Sequence, residues 1–285
     1  MAALILRSLL LLLAFGMTAS THLHVQSHDD FHIFTTFRLD STLLLDEAHA
    51  KACGGDSSDV YLLPYHYDRL IKAAAAMSSF NIPGSLLDLT AFERQIHARK
   101  QILEDSDQDS DSNQGNSISN VKRGKFSLWR DGRFEVSLVP VAQTFPLLFP
   151  ESFNDTKEPT WTVMLDTQPT DTDLYTTFKT SHRVAYDRAR QAAGLTPSDT
   201  TEILLYNGFG EVIDGTIMTV YFRREDKWVT PQKGGLESTT QKFALDCGLC
   251  IRADHAITKD SLRPGEIIWL SNAFRGFFPA TFKAR

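Results

Sequence analysis

One amine, one guanidinium and one hydroxyl-rich turn are the groups in this sequence best suited to chemistry. Lys179 is the only lysine between Lys157 and Lys227 and lies in Thr176-Thr-Phe-Lys179-Thr-Ser-His-Arg183. It follows a Thr/Tyr/Phe run that reads as a strand and precedes a segment of helix-forming composition, so its amine is expected at a strand-to-helix junction. Taken alone, a lysine near a strand end is most often a solvated surface charge. Arg69, in Tyr61-Leu-Leu-Pro-Tyr-His-Tyr-Asp-Arg69-Leu, carries a planar fork that matches phosphate oxygens. In isolation it reads as an ordinary arginine on a helix surface. Residues 230–241, Thr-Pro-Gln-Lys-Gly-Gly-Leu-Glu-Ser-Thr-Thr-Gln, form a glycine-rich turn leading into a helix. Backbone N–H groups and hydroxyls converge at such a start, and the helix dipole favours an anion there. The bland alternative is a helix N-terminus whose hydroxyls only cap it.

The elements that must position these groups are legible from periodicity. Residues 31–39 have the aromatic and β-branched composition of a strand, ended by Asp40 and Ser41. Residues 60–63 read as a second short strand, Pro64 as a break, and a helix follows from about His66 with Leu70, Ile71, Ala74 and Met77 on its apolar face. A further helix is expected over 86–102, then a hairpin of 125–128 and 133–139 joined by Asp131-Gly132. Residues 140–159 are rich in proline and turn formers, which places an interdomain connection at 146–160. Beyond it, strands are expected at 161–165, 202–206, 212–222, 227–229 and 266–270, with helices at 182–193, closed by Gly194, and 240–247. Without a regular βαβ alternation this is an α+β or barrel-like pattern. The division that follows is a small α+β domain over 31–145 and a larger one over 161–285.

Bulk properties narrow the partners. A chain of 285 residues with 42% hydrophobic content is long enough for two ordinary domains and a sizeable core. A net charge of -6 with scattered lysines and arginines argues against nucleic acid. Residues 104–120 place five acidic side chains in their first eight positions and read as a disordered insertion in a surface loop. Cys53, Cys247 and Cys250 are too few for a disulfide framework, which favours a reducing, cytoplasmic setting. Cys247-Gly-Leu-Cys250 has redox or zinc spacing but no second ligand pair, so it reads as a helix end with Gly248 as cap, and no metal site is expected. Residues 1–30 stand apart. Arg7, an apolar run over 9–17 and the small residues Thr18 and Ser20 resemble a weak signal peptide, too short for a stable membrane span, and would imply the secretory pathway. The other reading is an extension outside the working protein. A single sequon at Asn154 adds little.

Four segments, in matching chain order, and a fifth near the end carry a family resemblance. Lys179-Thr-Ser-His-Arg183 followed by Tyr186-Asp-Arg-Ala-Arg190 resembles the Lys-Thr-Thr-x-Arg and Tyr-x-x-Ala-Arg segment of the aminodeoxychorismate lyases, fungal type. These have the two-domain class IV aminotransferase-like fold, also called D-amino acid aminotransferase-like. The resemblance implies that Lys179 carries pyridoxal 5'-phosphate as a Schiff base. His66-Tyr-Asp-Arg69-Leu70 is similar to the family's His-x-x-Arg-Leu segment, implying that Arg69 holds the phosphate. Gly210-Glu-Val-Ile-Asp214-Gly-Thr216 is similar to Gly-Glu-Val-x-Glu-Gly-Thr, whose acidic side chain meets the pyridine nitrogen. Asp214 is one methylene shorter than the usual Glu, and Thr219 stands where many members have Asn. The turn before residue 241 implies phosphate contacts from Thr239 and Thr240, with Gln241 replacing a common Arg or Lys. Ser271-Asn272-Ala-Phe-Arg275-Gly276 is similar to the family's Ser-Asn-x-x-Arg-Gly segment lining the active site.

The resemblance therefore implies a lyase that converts 4-amino-4-deoxychorismate to 4-aminobenzoate and pyruvate, a step toward folate. Lys179 would be base as well as cofactor anchor. Thr35 or Thr36, with Thr36 preferred, would assist as acid; Arg38, Ser271, Asn272 and Arg275 would bind a small-molecule substrate. A homodimer is implied as well. The alternative within the fold is an aminotransferase for branched-chain or D-amino acids. From another class, Asp214, Thr219 and Gln241 motivate a catalytically inactive binding homologue.

Overall fold

In the computed structural model, residues 30–108, 121–141, 148–153 and 158–284 are described. The signal-like segment and the sequon at Asn154 lie outside them. The first strand, β1 (His32–Asp40), buries Ile33, Thr35 and Phe37 on one side. Asp40 ends it by accepting the Thr42 N–H at 3.1 Å, which starts a 3-10 turn over Ser41–Leu45. A short helix, α1 (Glu47–Ala52), is capped by Asp46.

The next helix, α2 (Leu63–Ala76), has Pro64 in its first turn and Leu62 in the left-handed region at φ 55°. Residues 60–63 are therefore no strand: only Val60 makes an isolated bridge, to Leu39. Pro64 opens the helix instead of breaking the chain, because a first-turn position needs no N–H. Helix α3 (Leu89–Gln108) runs past the expected end into the acidic segment, so residues 104–108 are helical and 109–120 are not described. Strands β2 (Val121–Trp129) and β3 (Phe134–Pro140) form the expected hairpin, its turn carrying Gly132 at φ 89°. Together β1, β2 and β3 make an antiparallel sheet in that order. Helices α2 and α3 pack on it through Leu70, Ala73, Phe92 and Ile96 against Phe37 and Phe126. A Cβ on Gly124 of β2 would lie 2.1 Å from the Phe37 ring, so this position has no room for a side chain.

The remainder comprises β4 (Trp161–Leu165), α4 (Leu174–Thr177), α5 (Val184–Ala192), β5 (Thr201–Tyr206), β6 (Val212–Gly215), β7 (Thr219–Arg224), β8 (Lys227–Thr230), α6 (Thr239–Asp246), β9 (Ile251–Arg252), β10 (Ile267–Asn272) and β11 (Gly276–Phe282). The eight strands form one mixed sheet in the order β6-β5-β4-β11-β10-β7-β8-β9. Val220, Phe222, Ile268 and Leu270 centre its apolar core. On its other side Phe153 stacks on Trp269 at 4.9 Å and packs with Tyr221 and Phe277. This α+β arrangement is the expected fold class.

Three local expectations fail for identifiable reasons. The Thr/Tyr/Phe run before Lys179 is the helical turn α4, because Asp173 accepts the Tyr175 and Thr176 N–H groups in a capping box that outweighs β propensity. The expected strand 212–222 splits into β6 and β7, since the N–H groups of Thr216 and Ile217 turn onto the Glu202 carboxylate, with the Thr216 N–H also reaching the Ile203 carbonyl of β5 at 3.1 Å. Strand β11 is an addition to the expected elements, with Pro279 inside it masking its strand character. The Cys-x-x-Cys pair is a helix end: Gly248 sits at φ 72°, Cys250 is buried and Cys247 exposed. Among the described residues no helix is long and apolar enough to cross a membrane, and no cluster of His, Cys, Asp or Glu could hold a metal ion.

Candidate active site

A cleft of about 410 Å³ opens between the β1–β3 sheet with α2 on one side and the β6, β7, β10 ends with α5 on the other; Thr36, Arg69, Lys179, Asp214, Thr239, Ser271, Asn272 and Arg275 all line it. Lys179 follows α4 just after the extended residue Phe178. Its carbonyl accepts the Phe34 N–H at 2.9 Å, so the backbone is fastened to β1 and not to a strand of its own. The amine lies 5.0 Å from the centre of the Phe34 ring. Burial, reinforced by the cations of Arg183 and Arg69, pushes its pKa far below that of a free lysine, and Asp214 only partly opposes this. A neutral amine is the nucleophilic form.

Asp214 on β6 faces the same cleft. Its oxygens accept the N–H groups of Gly215 at 2.9 Å and Leu236 at 3.1 Å. Burial dominates those bonds and, with nearby Glu202 adding repulsion, pushes the carboxyl up to about 8. Leu236 reaches Asp214 because two glycines precede it. A Cβ on Gly235 would come 2.2 Å from the Ile213 carbonyl, and Gly234 sits at φ 96°. This close approach is what the Gly-Gly pair in the sequence provides.

At the far end Arg69 donates from Nη2 to the Thr35 hydroxyl, while its Nε is buried with no partner. No carboxylate offsets the loss of water, and burial alone lowers its pKa to about 9. Thr239 Oγ1, at the start of α6, is likewise buried without a partner. Beside it Ser238 caps the helix by accepting the Gln241 N–H at 3.0 Å and is reached by the Thr219 hydroxyl at 2.5 Å. An uncompensated guanidinium, an orphan hydroxyl and a helix N-terminus form a donor set without an acceptor, which suits a phosphate monoester. A ring nitrogen carrying a proton would meet the one acid in the cleft whose charge burial disfavours. The residues present thus fit pyridoxal phosphate at both ends.

Two of the candidate residues do not reach the cleft with their functional groups. Arg38 is buried and its Nε and Nη2 bond to Asp40 at 2.9 and 2.5 Å, so its charge is committed to the strand end and not to a substrate. Thr240 is fully buried behind Thr239. Its hydroxyl meets Ser271 at 2.8 Å and Ser238 at 3.1 Å, which makes it a brace for the wall. Of the threonine pair, Thr36 lines the cleft, whereas Thr35 is buried against His66 and Arg69. Ser271 is held by the Tyr221 hydroxyl at 2.8 Å. Asn272 Oδ1 accepts the N–H groups of Phe274 and Arg275 at 3.0 and 2.8 Å, shaping the turn that presents Arg275, whose guanidinium lies 5.3 Å from the Trp161 ring.

Sequence reasoning passes over Glu202, His66 and Arg183. Glu202 is fully buried within an apolar strand and gathers four bonds from Ile203, Thr216 and Ile217. Arg183 holds the Thr216 carbonyl at 3.0 Å from the opposite side. A carboxylate within the apolar run Thr-Glu-Ile-Leu-Leu-Tyr is the available signal, because a charge in a buried strand requires partners.

Comparison with known proteins agrees with this geometry. The model of the amino-transferase class IV family matches residues 53–281, and the chain belongs to that family. It is 30% identical over 222 residues to the Schizosaccharomyces pombe protein named "Putative aminodeoxychorismate lyase", covering 76% of this chain and 82% of that one. It is 32% identical over 143 residues to the aminodeoxychorismate lyase of Saccharomyces cerevisiae, covering 44% of this chain and 38% of the relative. Among solved structures, a "Putative amino-acid aminotransferase" from Mesorhizobium loti superposes with a TM-score of 0.60 at 22% identity, covering 89% of this chain and 100% of that one. At that identity the likeness shows the fold alone.

Proposed function

We propose that this chain is a pyridoxal-phosphate-dependent lyase acting on 4-amino-4-deoxychorismate to give 4-aminobenzoate and pyruvate. The single observation that carries the cofactor assignment is the convergence of the depressed Lys179 amine, the raised Asp214 carboxyl and the unpaired Arg69 guanidinium on one cleft. The lyase names of the two relatives favour this reaction over transamination.

Pyridoxal phosphate, when bound, supplies an aldehyde carbon to which amines attach and a ring that accepts an electron pair. Arg69 and Thr239 would bind its phosphate and Asp214 would sit against its ring nitrogen, drawn back to the charged state by the proton there. Lys179 Nζ, neutral through burial, is the amine that would hold the aldehyde and the base that would take the proton from the substrate carbon bearing nitrogen. Thr36, on β1 at the cleft wall, would stand nearest as a hydroxyl acid for the departing enolpyruvyl oxygen. Arg275 would orient the substrate on a wall that Ser271 braces, and Phe34 and Phe178 would exclude water from the amine.

A domain division at residues 146–160, a homodimer and a cytoplasmic setting belong to the same reading. The test is direct. Incubation with aminodeoxychorismate should release aminobenzoate and pyruvate, and a mixture of branched-chain or D-amino acid with 2-oxoglutarate should give no glutamate. Glutamate from the second mixture alone would make the chain a transaminase, and silence in both would leave the binding homologue.

A further inference from the structure

The Arg69 side chain needs a fixed orientation to serve as a phosphate clamp, and its helix does not supply one. The contact that supplies it comes from a neighbouring strand. Thr35, fully buried on β1, lies between Arg69 Nη2 and His66 Nδ1, the latter at 2.6 Å. His66 and Arg69 are both on α2, and Thr35 is the hydroxyl that touches the two of them.

The proton positions in this triad follow by elimination. A guanidinium has no lone pair to offer, so Arg69 must be the donor and the Thr35 oxygen the acceptor. The Thr35 hydrogen then needs an acceptor of its own, and His66 Nδ1 is the group in reach. His66 therefore carries its proton on Nε2 and is neutral. The reverse tautomer would strand both the buried Thr35 hydrogen and the buried Nε2 lone pair, one unmet group more. Burial and the adjacent Arg69 cation depress the imidazole pKa far below its ordinary value, which agrees with a neutral ring. The chain of donors runs one way, from Arg69 through Thr35 to His66. It occupies one hydrogen of Nη2 and leaves Nε, buried and unpartnered, for an anion.

We infer that Thr35 and His66 are positioning residues for Arg69, holding the guanidinium so that its remaining donors are spent on a phosphate monoester and on nothing in the protein. The inference rests on the cofactor reading proposed above. It assigns Thr35 a role separate from that of its neighbour Thr36, which alone of the two lines the cleft.

The experiment compares binding of pyridoxal phosphate and of pyridoxal, which lacks the phosphate, to the full chain by quenching of tryptophan fluorescence. Thr35→Val, which keeps the shape and removes the hydroxyl, is expected to weaken pyridoxal phosphate about ten- to a hundredfold, the range for a misplaced charged hydrogen bond, and to leave pyridoxal affinity unchanged. Thr35→Ser restores binding to within about threefold, since the relay needs only the hydroxyl. In an Arg69→Ala background Thr35→Val adds little, because the two act through one contact. Equal weakening of both ligands by Thr35→Val, full discrimination retained in it, or failure of Thr35→Ser to rescue would overturn the inference. A wild-type chain that does not prefer pyridoxal phosphate to pyridoxal would instead overturn the cofactor reading, which keeps the two failures apart.

Discussion

Arg38 and Arg69 are two arginines on adjoining elements of the same sheet-and-helix layer, and they are treated in opposite ways. Arg38 is paired with Asp40, and that carboxylate in turn starts the following turn through Thr42. Hydrogen bonds from Thr42 and Arg38 outweigh the burial of Asp40 and hold its pKa below the usual carboxylate range. Arg69 has a hydroxyl for company and no carboxylate. Compensated charge supports the fold, whereas uncompensated charge is tolerated where a ligand supplies what is missing. The same division separates Glu202, whose bonds brace the loop after β6, from Asp214, left with two backbone donors and a pKa near 8.

Substitutions on the two sides of that contrast should have opposite consequences. Lys179→Ala should lower kcat by a factor of about a thousand or more, as losing a covalent anchor and base together does, while the thermal midpoint of the ligand-free protein is unchanged or higher. Arg38→Ala should do the reverse: removing one partner of a buried pair costs about 3 kcal/mol, read as a lowered urea midpoint, with cofactor affinity per folded molecule preserved. Gly235→Ala forces a Cβ into the Ile213 carbonyl and should cost about 1–3 kcal/mol along with a weakened cofactor grip, measured by denaturation and by fluorescence titration.

The same contrast has a pH dependence. Asp214 has a folded pKa near 8 against 3.8 for the free group, so the folded state holds its proton more tightly than the unfolded state. That contribution to stability is fully present below pH 3.8 and is lost as pH rises toward 8. Asp59 has the opposite sign. Burial opposes its charge, yet hydrogen bonds from His97 and Lys100 prevail and hold it at about 2, so its contribution is present at neutral pH and fades in acid. Asp214→Asn in the ligand-free protein should therefore flatten the decline in melting temperature between about pH 5 and 8, and Asp59→Asn should lower the melting temperature near neutrality.

Much of the fold is legible in the sequence because its signals are local. The Asp131-Gly132 turn, the apolar period of α2 and the Gly-Gly step into α6 each fix an element within a few residues. What is not legible depends on partners distant in the chain. The turn at Thr216 is held by Glu202, which collects its N–H groups, so the Asp214-Gly215 pair in the sequence does not by itself tell that the strand divides there. Lys179 falls at the expected boundary for a different reason, since the residues before it favour a strand by composition and a helical turn by the Asp173 cap. Within the cleft, motif order finds Lys179, Arg69, Asp214, Thr239, Ser271 and Arg275. It misplaces Arg38 and the Thr240 hydroxyl because a motif records neighbours in sequence, whereas Asp40 and Ser271 claim those groups through space.

Lys179, on this reading, is the amine that burial makes neutral and the cleft presents to an aldehyde. Mixing the protein with pyridoxal phosphate, reducing with borohydride and mapping the modified peptide tests it most directly. Stoichiometric label on Lys179 and a visible band that survives dialysis before reduction are expected, with neither in Lys179→Ala. Label spread over surface lysines at equal yield, or undiminished in that variant, would contradict it.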